Sequence, residues 1–296
     1  MIAFLSRLRR KLALMDDLDR RLRRVQEALG RIESRQVADV GLAGAEFRVY
    51  SQWGEDGVLQ HLVRHTAIER PVFVEFGVQD YRESNTRFLL ANNNWSGLVI
   101  DSAQENVARI ASDDIYWQHN LKALCAFVTR ENINQLLRAN DLEGEIGLLS
   151  IDIDGNDYWV WEAIDVVSPV LVAIEYNWRF GPDRRVSIPY DPAFVRERAH
   201  PSMVYYGAGL GALHALGKRK GYDLVGCNSA GNNAFFIRSD RRPQSLPARR
   251  PAECFVPGRF REARGIDGSM TGQSPDEECA ILAGLPVQDV GGPEVA

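Results

Sequence analysis

The sequence predicts an α/β protein: a doubly wound, mostly parallel seven-stranded sheet with an antiparallel hairpin at one edge, preceded by a long amphipathic helix of coiled-coil character. Three observations carry that expectation. Between residues 50 and 238, short apolar runs rich in β-branched residues alternate with helix-like stretches, and parallel strands require such crossovers. Residues 1–36 place an apolar side chain every three or four positions, the spacing of one helix face. The 296 residues, 45% hydrophobic and 25% charged, supply one large core with room for an appendage at each end.

In chain order, residues 1–45 form the amphipathic element. Leu8, Leu12, Met15, Leu18, Leu22, Val25, Leu29 and Ile32 mark its stripe, and two consecutive spacings of three around Met15 read as a stammer in a heptad pattern. Ten basic side chains against five acidic ones in residues 1–36 leave about −10 for the rest of a chain whose net charge is −5. Such a stripe packs on its own domain, pairs with a copy of itself or another protein, or lies on anionic lipid at the inner face of a membrane. Pairing is the expectation.

Residues 46–240 form the sheet domain. Strands are expected at 72–76, 97–100, 146–151, 170–174, 222–225 and 234–237, with a weaker one at 115–117. Helices are expected at 56–65, 86–91, 104–110, 133–138, 158–164 and 210–220. The stretch 188–206 interrupts this rhythm, as substrate lids do; Tyr190, Tyr205, Tyr206 and Trp178 either stack on a sugar ring or pack the lid. Prolines and arginines crowd after Asp240, so residues 241–296 read as a linker or a tail that wraps the domain.

Several classes are set aside. No apolar run is long enough to span a membrane, and the first five residues are too short for a secretory core. Cys125, Cys227, Cys254 and Cys279 lie far apart with no C-x-x-C pair, so neither zinc nor a disulfide framework is indicated. A reducing cytoplasm is expected. The net charge gives no reason to expect nucleic acid.

In a doubly wound sheet the ligand sits outside the carboxyl ends of the strands. Those ends are acidic here: Glu75 with Gly77, Asp101, Asp152 with Asp154, and Glu175 with Asn177. A dinucleotide site needs a G-x-G-x-x-G turn, but only Gly77 is present, and Glu75, Asp80 and Glu83 would repel a pyrophosphate. The ammonium and sulfonium of S-adenosylmethionine suit those acids better. Asp101, 24 positions beyond Gly77, stands about where an acid accepts ribose hydroxyls.

The segments YSQWGEDG at 50–57, EFG at 75–77, ESNT at 83–86, WSGLVID at 95–101 and SIDIDGND at 150–157 resemble the FkbM-like class I methyltransferases over about residues 48–240. The resemblance implies a Rossmann-like fold, S-adenosylmethionine as cofactor, and O-methylation of a sugar or another hydroxyl-bearing metabolite. It places Glu75 and Gly77 against the methionine end, Asp101 on the ribose, and Gln52 and Asn85 near the amino and carboxylate groups. Local helix capping is the other reading of Gln52 and Asn85. His119 and Asn120, taken to follow the third strand, would flank the adenine or merely face solvent. The chain departs from the family where Gln79 or Asp80 replaces a second glycine.

Asp152 and Asp154, two apart at a strand end, share a face, and Glu175 and Asn177 would lie alongside on the next strand. Four oxygen donors can hold Mg²⁺, similar to metal-dependent O-methyltransferases, or the acids serve as base without metal. Asp152 and Asp154 are the candidate bases, with His214 as the other, either catalytic or structural. The expected function is therefore S-adenosylmethionine-dependent O-methylation of a sugar or glycan hydroxyl. A catalytically silent scaffold in a glycan-assembling complex and a nicotinamide oxidoreductase are the alternatives.

Overall fold

The computed structural model describes residues 2–37 and 40–291. Seven strands form one sheet: β1 (Val72–Phe76), β2 (Ser96–Asp101), β3 (Leu121–Cys125), β4 (Gly144–Ile151), β5 (Val167–Glu175), β7 (Tyr222–Cys227) and β8 (Asn233–Arg238), in the order β3-β2-β1-β4-β5-β8-β7. A separate pair, β6 (Val186–Ser187) with β9 (Gln288–Asp289), ties the last described segment to the lid region. The first five strands of the sheet run parallel, while β8 is antiparallel to both β5 and β7. This is the expected Rossmann-like layout with its edge hairpin. Strand order reverses between β1 and β4, so the ends of those two strands frame the switch-point crevice.

The sheet is buried on both faces, which is why its strands read as continuous apolar runs. One face packs α6 (Ile133–Arg138), α7 (Asp157–Ala163) and α9 (Leu210–Arg219) around Trp161, Leu213 and Phe236; the other packs α2 (Glu55–His65) and α3 (Arg87–Asn93) around Leu59, Leu89 and Phe73. The helices α4 (Gln104–Ser112) and α5 (Asp114–Gln118) precede β3.

One element differs from expectation. Residues 115–117 are not a strand but lie within α5, whose first turn is capped by Asp113 accepting from the Ile115 N–H (3.0 Å). The true third strand, Leu121–Cys125, carries no β-branched residue and so lacked the signal that marks its neighbours. His119 and Asn120 consequently precede β3 rather than follow it.

The amino-terminal helix α1 (Ile2–Gln36) is 35 residues long and touches α2 and α3. The side chains of Leu8 and Leu12 lie outside the described residues. No described helix is long and apolar enough to cross a membrane. The segment after β8 folds back over the domain through α10 (Pro251–Cys254) and α11 (Pro275–Ala283).

Candidate functional site

The site begins where β1 ends. Gly77 has φ +72°, and a Cβ there would lie 1.7 Å from the Asp152 carbonyl oxygen, so only glycine lets β1 turn against β4. Two further residues of the loop, Gln79 (φ +48°) and Tyr81 (φ +63°), are left-handed without being glycine, a conformation that persists only where neighbours enforce it. Gln79, standing where a second glycine was expected, is held by its N–H, which donates to Asp101 Oδ2 (2.8 Å). Asp101 Oδ1 accepts from the Ala103 N–H (2.9 Å) and Asn106 Nδ2 (3.0 Å). The carboxylate is thus fixed in place at the end of β2, with one lone pair of Oδ2 to spare.

Glu75 is buried and spends its oxygens on the loop. Oε1 accepts from the Asn85 N–H (2.8 Å) and Ser150 Oγ (3.3 Å); Oε2 accepts from the Thr86 N–H (3.2 Å) and hydroxyl (2.5 Å). Burial pushes its carboxyl up, and these donors oppose the rise. Glu75 therefore shapes the turn that carries Asn85, whose own amide donates to Ser150 Oγ (3.1 Å). Ser84, not Asn85, supplies the expected capping contact, accepting from the Arg87 N–H (3.2 Å).

Asp152, Asp154 and Glu175 each bring a carboxylate oxygen within 4.8 Å of the others. Burial and then the charge of Asp154 drive the Asp152 carboxyl well above its ordinary range; burial and then Asp152 do the same to Glu175. Asp154, itself exposed and left-handed (φ +55°), pairs with Arg196, the first residue of the short helix α8 (Arg196–Ala199), which reaches Glu262 with its other nitrogen. Asp157 closes the loop between them by accepting from the N–H groups of Ile153 and Gly155, both at 2.9 Å. Asn177 does not join this set. It is fully buried, its amide nitrogen donates to the carbonyls of Val204 (2.9 Å) and Tyr206 (3.0 Å), and its oxygen faces Arg179. A side chain so committed pins the lid and has nothing left for a cation.

Two adjoining chambers meet at Gly77, Gln79, Asp152, Asp154 and Arg196. The smaller, about 220 Å³, has Asp101 on one wall and the apolar Ile100, Phe127, Val128 and Ile153 on the others. The larger, about 470 Å³, is walled by Gln52, Trp53, Glu75, Asn85, Glu175 and Asn233, and roofed by Phe260, Arg261 and Glu262. Phe260 stacks on Trp53 with ring centres 5.7 Å apart. Glu262 accepts from Arg179 (2.8 Å) and Tyr206 (2.9 Å), so the carboxy-terminal segment is part of the site and not an appendage to it.

Sequence reasoning missed Trp53, although it stands next to Gln52 in the YSQWGEDG segment, and it missed Arg196, Asn233 and residues 260–262, which belong to no motif or parallel-strand end. Asn233 sits opposite Glu175 in the β5–β8 ladder. Its amide nitrogen donates to buried Glu55 (2.9 Å), and Asn233 Oδ1 and Glu175 Oε2, on two residues that both line the larger chamber, are buried without a partner among the described residues. The orphaned pair marks where a donor-bearing ligand belongs.

Three expected residues lie elsewhere. His119 and Asn120 stand at the amino end of β3, away from the strand ends that form the chambers, and His119 lines a groove under α1 with Arg20, Arg23 and Glu27. His214 is on α9, outside both chambers. Burial and then Lys218 hold its imidazole below the usual value, as for a packed helical histidine.

Fold and site together define a Rossmann-like α/β domain with an acid-lined ligand crevice at its switch point. No protein-family model matches the chain, and no curated protein matches it in sequence. Among solved structures it is similar to the N-terminal domain of EvdMO1 with SAH bound, at 10% identity over 71% of this chain and 94% of that one, with a TM-score of 0.40. It is similar also to a putative caffeoyl-CoA O-methyltransferase from Staphylococcus aureus (15% identity, 61% of this chain and 81% of that one, TM-score 0.41). A third is an S-adenosylmethionine-dependent methyltransferase from Clostridium acetobutylicum (9% identity, 62% and 89%, TM-score 0.39). Likenesses this distant carry no argument about chemistry, which rests on the residues above.

Proposed function

We propose that this chain is an S-adenosylmethionine-dependent O-methyltransferase acting on a hydroxyl of a sugar or glycan. One observation carries the reading: a chamber with a fixed acid at the end of β2 and apolar walls opens, across the Gly77 bend, into a larger chamber lined by carboxylates. The first suits an adenosine, with Asp101 facing the ribose hydroxyls. The second suits the cationic end of the cofactor, near Gln52, Glu75 and Asn85, and a hydroxyl-rich acceptor beyond it. When bound, S-adenosylmethionine supplies the methyl group and its leaving group.

The chain's own work is to hold the acceptor oxygen in line, exclude water and remove one proton. Asp152 is the residue for the proton: Asp154 is committed to Arg196, whereas Asp152 is half-buried at the junction of the two chambers, and burial beside Asp154 raises its affinity for a proton above that of an ordinary carboxylate, the direction a general base needs. Glu175 Oε2 and Asn233 Oδ1 accept from the acceptor's hydroxyls, and Trp53, partly exposed on the wall of the same chamber, offers its ring as an apolar contact. The three carboxylates also fit a hard divalent cation such as Mg²⁺, with water completing the shell, and the unpartnered Glu175 oxygen favours that fit. Such an ion supplies Lewis acidity to the acceptor hydroxyl.

Calorimetry with S-adenosylhomocysteine and NAD in parallel tests the reading. Binding of the former alone is expected. Binding of NAD alone would point to a nicotinamide oxidoreductase, and binding of neither to a silent scaffold.

A further inference from the structure

Two thiols meet where the carboxy-terminal strap leaves the sheet. Cys227 ends β7 and is buried, Cys254 ends α10 and is half-buried, and the two free side chains hydrogen-bond to each other. They lie 27 positions apart in the chain, so no sequence spacing joins them. Tyr176 fixes the neighbourhood: its hydroxyl lies beside the Cys227 thiol and donates to the carbonyl of Val256 (2.7 Å), two residues beyond Cys254. The turn between β7 and β8 closes the other side, where a Cβ on Gly231 would fall 2.6 Å from the Val256 carbonyl oxygen. Packing of α10 on β7 and α9 thus holds the sulfurs together.

The two sulfurs are unequal. Burial drives the Cys227 thiol well above its ordinary value, whereas the hydrogen bond from Cys227 holds the Cys254 thiol below its own, with burial opposing and Arg249 helping. Cys254, the more accessible of the two, is the sulfur that meets an oxidant, and Cys227 is placed to resolve it. We infer that Cys227 and Cys254 form a reversible disulfide in response to a peroxide, and that this bond latches the strap over the ligand site. In the first step the Cys254 thiolate attacks a peroxide oxygen; an S–O bond forms, the O–O bond breaks, and the hydroxide that leaves takes up the proton Cys254 gave up. In the second the Cys227 sulfur attacks the Cys254 sulfur; the S–S bond forms as S–O breaks, and the departing hydroxide carries off the Cys227 proton as a second water. Two thiols are oxidised and one peroxide is reduced. The consequence runs along the strap. Six and eight residues beyond Cys254, Phe260 stacks on Trp53 and Glu262 accepts from Arg179 and Tyr206. Because α10 is only four residues long, a covalent tie at its end fixes the near end of that roof to β7.

Non-reducing peptide mapping of the full chain after treatment with hydrogen peroxide tests this. Trypsin places Cys227 in peptide 221–238 and Cys254 in peptide 250–259, so the disulfide is expected as one linked peptide, lighter than the two together by two hydrogens and separated by a thiol reductant. The oxidised protein should melt roughly 5–10 °C above the reduced one, the size expected for closing a loop of this length in a chain of this size. It should also exchange amide hydrogens more slowly over residues 255–262. Cys254→Ser should show none of these responses to peroxide. Neither readout depends on which ligand the chambers take. Peroxide that leaves both thiols unmodified, oxidises Cys254 while Cys227 stays a thiol, or links either one to Cys125 or Cys279 overturns the inference. A disulfide between residues 227 and 254 that forms without slowing exchange over 255–262 overturns the latch.

Discussion

Asp101 and Asp152 separate two jobs at the scale of single residues. Asp101 is held by three donors from its own neighbourhood, so replacing it removes a ligand contact and loosens the Gln79 turn at once. Asp101→Ala is expected to weaken S-adenosylhomocysteine binding by about 1.5–3 kcal/mol, the range for a hydrogen bond to a charged group, while the domain stays folded. Isothermal calorimetry beside a melting curve checks this; unchanged affinity would move the ribose elsewhere. Asp152 is different, because its raised carboxyl reflects burial and the crowding of Asp154. Asp152→Asn should lower the rate constant for methyl transfer more than it lowers cofactor affinity. Chelation decides the role of metal: lost turnover restored by Mg²⁺ supports the cation, and full turnover in excess chelator leaves a carboxylate acting alone. Both aspartates were legible from sequence because strand ends are where the continuous apolar runs stop. Asn177 looked equally eligible, and only the lid's carbonyls, more than 25 residues away in the chain, show that its amide is already used.

At the scale of elements, the fastening of α1 has its own pH dependence. Asp113 joins Arg23 on the helix to Arg87 beneath it, and it also caps α5. Burial works against its ionisation, but Arg87, the Ile115 N–H and Arg23 outweigh this and hold its carboxyl below the ordinary range. A depressed folded-state pKa stabilises above the unfolded value, about 3.9, and that stabilisation is lost as pH falls through the folded one. The helix should therefore loosen as pH falls below about 4. Limited proteolysis by an acid-active protease should then cut within α1 before it cuts the sheet domain, and Asp113→Asn should show the same early cleavage at neutral pH. Equal protection of both regions down to global unfolding would show that Gly30 and its apolar neighbours hold the helix without the ion pairs. Periodicity made the helix plain in the sequence. It could not show which face docks, since a stripe of leucines looks the same whether it meets its own domain or a second copy.

For the whole molecule, ligand binding and stability are coupled through the crevice, because strands β1, β2 and β5, the turn after β4 and the roof at 260–262 all contribute to its walls. A ligand present at one hundred times its dissociation constant stabilises by about 2.7 kcal/mol, which for a domain of this size raises the melting temperature by roughly 5–10 °C. S-adenosylhomocysteine should produce such a shift and NAD none, read by differential scanning fluorimetry. The same ligand should protect the 260–262 segment from hydrogen exchange if the carboxy-terminal strap closes over it.

The sequence by itself determined the alternation of strands and helices, the strand ends where acids gather, and the amphipathic character of α1, because each is written in a local period or a local run. The tertiary structure alone decided the rest. The third strand was hidden because Leu121–Cys125 has the composition of a helix and is extended only by pairing with β2. Asn233 came to face Glu175 through antiparallel register, and Phe260 reached Trp53 across 207 positions of chain. Such contacts join residues distant in sequence through register and packing, and neither leaves a periodic trace at the positions it brings together.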